Sequence, residues 1–267
     1  MQIKKITVVS LLIMLLSYTS LGMANHYVFN PTDSYHTLHS PIEEGLHPAI
    51  LMLHASGGVE HINMEWAELL TREGYVVYII DSFTPRGYTD RKSIGWDKAT
   101  SAQLADIEPA FRYLIKQPNV DANRIGLLGF SMGGYDTLRA MQRSGNGTIP
   151  ALQKLHFRAA ASFYGVCKLI SPDVKLNGPL KIFTGANDDR ATTAACEALI
   201  NKQKEHDASL FITTYPQALH GFDNSAFPPS QELTDEKGDK YHIGFNQKAK
   251  ETATHDLLEF FNHNLKK

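Results

Sequence analysis

The sequence predicts an α/β fold, a mostly parallel central sheet with helices packed on both faces. Short runs of consecutive apolar residues alternate with segments of helical period, and the runs are too continuous for strands with one wet face. A Gly-Phe-Ser-Met-Gly turn then joins one apolar run directly to a helical segment. The apolar runs place strands at residues 50–53, 75–80, 125–128, 159–163, 180–183 and 210–214. Between them the period predicts helices at 61–72, 98–116, 132–142 and 193–206. In the second helix Leu104, Ile107, Phe111, Leu114 and Ile115 share a face, while Pro109 predicts a kink or a late start because it lacks an N–H. Residues 27–46 read as antiparallel edge strands, and residues 223–246, rich in Pro, Gly and charge, as a long loop. The chain closes with an amphipathic helix whose Thr254, Leu257, Leu258, Phe261 and Leu265 face the core.

Met1-Gln2-Ile3-Lys4-Lys5 precedes an apolar segment at residues 6–16 and small residues ending in Gly22-Met23-Ala24, the pattern of a signal peptide (1–24) cut before Asn25. Its apolar core is shorter than the ~20 residues of a membrane span. The expectation is export to the periplasm or medium, with no stable membrane anchor after cleavage. Removing residues 1–24 from the 267 leaves 243, a size for one α/β domain over residues 25–267. The remainder carries 24 Lys and Arg against 28 Asp and Glu, a formal charge of −4 that invites no nucleic acid. Two cysteines, Cys167 and Cys196, fall after one strand and in the helix after the next; in an exported protein they form one disulfide or stay as two buried thiols.

Ligands of open α/β sheets bind at the carboxyl ends of the strands, so the residues just after each strand carry the chemistry. Gly129-Phe130-Ser131-Met132-Gly133 is a G-x-S-x-G nucleophile elbow, whose glycines leave room for a sharp strand-to-helix turn. After the strand at 180–183 stand Asp188 and Asp189, and after the strand at 210–214 stands His220. A serine hydroxyl is a weak nucleophile at neutral pH. An imidazole must take its proton, and a carboxylate must hold that imidazole in the right tautomer. Ser131 is therefore assigned as nucleophile, His220 as base and Asp188 as orienting acid, with Asp189 the rival acid. The oxyanion hole is assigned to the Met132 amide and to an amide of the loop 54–58, Ser56 in preference to Ala55. His36, His39, His54 and His61 show no zinc spacing, so neither metal nor organic cofactor is expected.

As an ordered set these motifs resemble the dienelactone hydrolase-like branch of the α/β-hydrolases, particularly its exported members. The likeness rests on His54-Ala55-Ser56-Gly57-Gly58, Asp81-Ser82-Phe83-Thr84-Pro85-Arg86-Gly87, Arg124-Ile125-Gly126 leading into the elbow, Gly185 through Asp189, and Tyr215-Pro216 through His220-Gly221-Phe222-Asp223. It implies an α/β-hydrolase fold and a Ser131, Asp188, His220 triad acting on a small carboxylic ester or lactone. Dienelactone hydrolases proper carry a cysteine where this chain has Ser131, and hold the substrate carboxylate with two arginines. Arg86 resembles the first arginine, but Asn224 stands near the second position, so dienelactone itself is not the expected substrate. Arg86 is read either as a contact to an anionic substrate group or as a partner of Asp81 and its loop. Acyl transfer or amide cleavage on the same triad, and a noncatalytic binding protein on the same scaffold, are the other readings.

Overall fold

The computed structural model describes residues 27–144, 148–171, 175–203 and 209–267. The expected signal peptide and the end of the helix expected at 193–206 lie outside the described residues. Seven strands form the main sheet: β1 (Thr37–His39), β2 (His47–Leu53), β3 (Val76–Ile80), β4 (Val120–Phe130), β6 (Ala159–Phe163), β8 (Leu180–Gly185) and β9 (Leu210–Tyr215). Their order is β1-β3-β2-β4-β6-β8-β9, parallel throughout except for β1, which pairs antiparallel with β3. Each expected strand is present, and β4 starts earlier than its apolar run.

Alternation along the strands divides the core in two. Leu51, Tyr78, Leu127, Ala160 and Ile182 point to one face, covered by α2 (Trp96–Leu114), α3 (Met132–Ala140) and α4 (Thr193–Gln203). Ile50, Val77, Leu128, Ala161 and Phe183 point to the other, covered by α1 (His61–Arg72) and α5 (Gln247–Leu265). Both faces are buried, which is why the strands read as unbroken apolar runs. The face of α5 follows a strict four-residue step, Ala249, Ala253, Leu257, Phe261 and Leu265, with Thr254 and Leu258 at its flanks.

Three expectations need correction. Helix α2 begins at Trp96, capped by Gly95 at φ 82°, and runs through Pro109 without a late start. Buried Ile107, Ala110 and Phe111 hold that turn in place of the missing backbone bond. Residues 27–46 supply only the three-residue β1. The loop expected at 223–246 contains a hairpin, β10 (Gln231–Thr234) and β11 (Lys240–Ile243), whose short strands interleave polar residues with Leu233, Tyr241 and Ile243 and so show no continuous apolar run. A further two-stranded piece, β5 (Gln142–Ser144) with β7 (Lys175–Leu176), is too short to show in the sequence. Among the described residues no helix is long and apolar enough to cross a membrane.

Candidate active site

The chain passes from β2 to β3 on one side of the sheet and later to β4 on the other, so the carboxyl ends of β2 and β4 flank the switch point where such sheets bind ligands. β4 ends at Phe130 and α3 starts at Met132, leaving Ser131 alone to turn the chain. It does so at φ 52° and ψ −107°, a conformation that costs a non-glycine residue on the order of 1–3 kcal/mol. The Ser131 N–H donates to the Phe163 carbonyl at 2.9 Å and so fastens the turn to β6. A Cβ on Gly129 would overlap the Gly133 carbonyl, and one on Gly133 would lie 2.6 Å from the His54 carbonyl oxygen. Close approach of backbones is thus the reason for glycine at both positions.

Asp188 follows β8 and His220 follows β9, and both lean toward the elbow. Ser131 Oγ lies 2.8 Å from His220 Nε2, and His220 Nδ1 lies 2.9 Å from Asp188 Oδ2. Asp188 Oδ1 accepts from the N–H groups of Arg190 and Ala191 at 2.9 and 2.7 Å, so both carboxylate oxygens act as acceptors. With that acceptor on Nδ1, the network assigns the imidazole proton to Nδ1 and leaves Nε2 to accept from the serine hydroxyl. The rival Asp189 faces away: it accepts from the His242 backbone N–H at 2.8 Å and pairs with His242 Nδ1 at 2.8 Å. Burial pushes the Asp189 carboxyl up, but these bonds outweigh it and hold the group below its usual range.

Met132 is the first residue of α3, where an N–H has no acceptor within its own helix. Ala55, Ser56 and Gly57 line the same cleft as Ser131 and His220, a space of about 340 Å³. The loop carrying Ser56 is held from beneath. His54 Nε2 accepts from the Ser82 N–H at 3.2 Å, which assigns its proton to Nδ1 for the Ala55 carbonyl at 2.6 Å. Complete burial lowers the pKa of His54 and keeps it neutral in this role. A larger hollow of about 550 Å³ between β9 and α5 contains none of these residues.

Arg86 is not among the residues lining the cleft. Its guanidinium forms two bonds to Asp106, at 2.8 and 2.6 Å, and a third to the Ser82 carbonyl at 2.9 Å. The partner is Asp106 on α2 rather than Asp81, whose carboxylate caps the N–H groups of Phe83 and Thr84. A substrate anion would have to compete with a nearly buried carboxylate for the same donors. Cys167, in the short helical turn after β6, and Cys196 in α4 form a disulfide.

Three cleft residues, Tyr164, Arg91 and Arg190, are not among the site residues assigned from the sequence. Tyr164 stands at φ 40° with its ring edge-on to His220, centroids 4.8 Å apart. Arg91 donates its backbone N–H to the Ser56 carbonyl at 2.9 Å, and Arg190 borders Asp188. Asp188-Asp189-Arg190 is the only local signal, because a carboxylate turn after a strand end draws in its neighbours.

Residues 36–265 match the sequence profile of the dienelactone hydrolase family. A human protein named a carboxymethylenebutenolidase homolog is 26% identical over 192 residues, covering 68% of this chain and 73% of that protein. Dienelactone hydrolase from Anabaena variabilis superposes with a TM-score of 0.61 at 20% identity, over 86% of this chain and 91% of the other. The esterase Est2 of Thermogutta terrifontis with butyrate bound gives 0.60 at 15% identity, over 85% and 88%. These solved structures share the fold.

Proposed function

The chain belongs to the dienelactone hydrolase family and is a hydrolase, and from that premise we propose that it cleaves a small carboxylic ester or lactone through Ser131, His220 and Asp188. The observation that supports this reading most strongly is the unbroken relay of 2.8 and 2.9 Å from Ser131 Oγ through His220 to Asp188 at the floor of the cleft. Ser131 Oγ attacks the carbonyl carbon while His220 Nε2 accepts its proton. The negative charge on the carbonyl oxygen falls to the Met132 and Ser56 amides. Collapse breaks the ester C–O bond, His220 returns the proton to the leaving alcohol, and an acyl group remains on Ser131. Water, deprotonated by His220, then attacks the acyl carbon; the acid departs and Ser131 regains its proton. None of these steps requires a metal or an organic cofactor.

Export belongs to the same proposal. The Cys167–Cys196 disulfide supports it, since such bonds persist in oxidising compartments.

Labelling with a fluorophosphonate probe and peptide mapping tests the mechanism. The expected adduct sits on Ser131 in the parent protein and is lost in both Ser131→Ala and His220→Ala. A folded protein that takes up no probe and turns over no ester, lactone or amide would overturn the proposal in favour of a binding role.

A further inference from the structure

The β10–β11 hairpin lies outside the main sheet, yet every part of it is fastened to the machinery around Ser131. At its base Ile243 bridges to His220, and the Gly244 N–H donates to the His220 carbonyl at 3.1 Å. Beside Ile243, His242 holds Asp189. At its tip Asp235 pairs with Arg190 at 2.7 Å and Glu236 pairs with Arg91 at 2.5 Å. Those two arginines also use their backbone N–H groups to hold Asp188 and the Ser56 carbonyl. The tip thus joins the acid side of the cleft to its oxyanion side. Leu233, Tyr241 and Ile243 line the cleft itself.

The fastenings differ in kind. An isolated two-stranded hairpin is marginal in water, so this one depends on its anchors. The base is tied by backbone hydrogen bonds and by a buried Ile243, whereas the tip rests on two ion pairs that each keep one partner within reach of water, Glu236 at 44% and Arg190 at 28% exposed, so salt weakens them in part. Arg190 holds the Asp235 carboxyl down to about 2 and Arg91 holds Glu236 below the usual range, so both pairs are charged at neutral pH. Its anchors at the tip are therefore the ones that charge and salt can loosen, and those at the base are not. With the tip down the cleft of about 340 Å³ lies at the small end of ligand sites.

Building on the ester hydrolase reading, we infer that the β10–β11 hairpin is a charge-latched cover that sets the size of ester accepted at Ser131. Short-chain esters react beneath the closed hairpin, and long-chain esters react only when the tip lifts.

The test compares p-nitrophenyl acetate with p-nitrophenyl octanoate in the parent protein and in the Asp235→Asn/Glu236→Gln double variant. The variant removes both latch charges and retains shape. The octanoate-to-acetate ratio of kcat/KM is expected to rise roughly fivefold in the variant, the scale of two partly exposed ion pairs. In the parent it should rise with NaCl up to about 1 M, a response the variant lacks. Amide exchange across residues 231–243 reads the latch without any turnover and is expected to be faster in the variant. An unchanged ratio, or equal exchange in the two proteins, overturns the cover. A parent protein that cleaves neither ester while its exchange responds as expected counts against the hydrolase reading alone.

Discussion

The Tyr164 hydroxyl donates to Asp223 Oδ1 at 2.7 Å, and Trp66 Nε1 donates to the other oxygen of the same carboxylate at 2.7 Å. Asp223 is fully buried; burial pushes its carboxyl up, and the bonds from Tyr164 and Trp66 pull it part of the way back. Two donors on two oxygens call for the ionised form. The carboxylate ties α1 and the turn after β6 to the loop that carries His220. Tyr164 is held at φ 40°, uncommon for an aromatic residue, by that bond and by its own N–H on the Phe183 carbonyl at 2.7 Å.

Tyr164→Phe keeps the ring beside His220 and removes only the bond to Asp223. The histidine loop then loses one of its supports. The expected result is a kcat lower by roughly tenfold to a hundredfold with KM unchanged, because misplacing a base affects the chemical step more than binding. Steady-state kinetics on a short ester decide it. A raised KM at constant kcat would instead make Tyr164 a wall of the substrate pocket.

Asp188→Asn and Asp189→Asn should separate the two neighbouring acids. The first replaces the acceptor on His220 Nδ1 and favours the wrong tautomer, so kcat should fall by about 10⁴. The second removes only the charge that pairs with His242 Nδ1 on the hairpin and leaves an oxygen to accept from the His242 N–H, so turnover should stay within about threefold. Equal losses in the two variants would reject the assignment of Asp188.

The main sheet was legible because each strand is buried on both faces and reads as an apolar run. Ser131, Asp188 and His220 were legible because each follows such a run, and the choice between Asp188 and Asp189 rested on which side chain turns inward. The hairpin escaped notice because Glu232 and Lys240 flank Leu233 and Tyr241, so neither strand shows a continuous apolar run. Tyr164 escaped because its function lies in backbone strain and a partner 59 residues away, neither of which leaves a local pattern. Arg86 was placed after the right strand, but its direction depended on Asp106, 20 residues on and buried in α2.

Arg86→Ala tests that reassignment. The side chains of Arg86 and Asp106 are only 12% and 1% exposed, so removing one leaves the other an uncompensated charge. Loss of one partner of a buried pair costs about 3–5 kcal/mol, which a urea midpoint will register. Discrimination between a carboxylate-bearing ester and its neutral methyl analogue should not change. A selective loss on the anionic ester with normal stability would return Arg86 to the substrate.

Asp136 supplies a pH-dependent prediction. It lies on α3 at complete burial, and neither carboxylate oxygen has a hydrogen-bond partner among the described residues. Burial raises its pKa well above the ordinary value, and the attraction of Arg139 offsets only part of that. In the unfolded chain the same carboxyl titrates near the usual value of about 3.9. The folded state therefore binds the extra proton, so the contribution to stability is full below about pH 4 and is lost as pH rises toward the folded value. Asp136→Asn removes the titration while keeping size and shape. Unfolding free energies of the two proteins should agree near pH 4. Above it the parent should fall behind the variant by about 1.4 kcal/mol per pH unit, until the folded carboxyl itself ionises. Groups common to both proteins cancel in that difference, so a gap that stays constant from pH 4 to about pH 8 would mean that Asp136 is as easily ionised folded as unfolded.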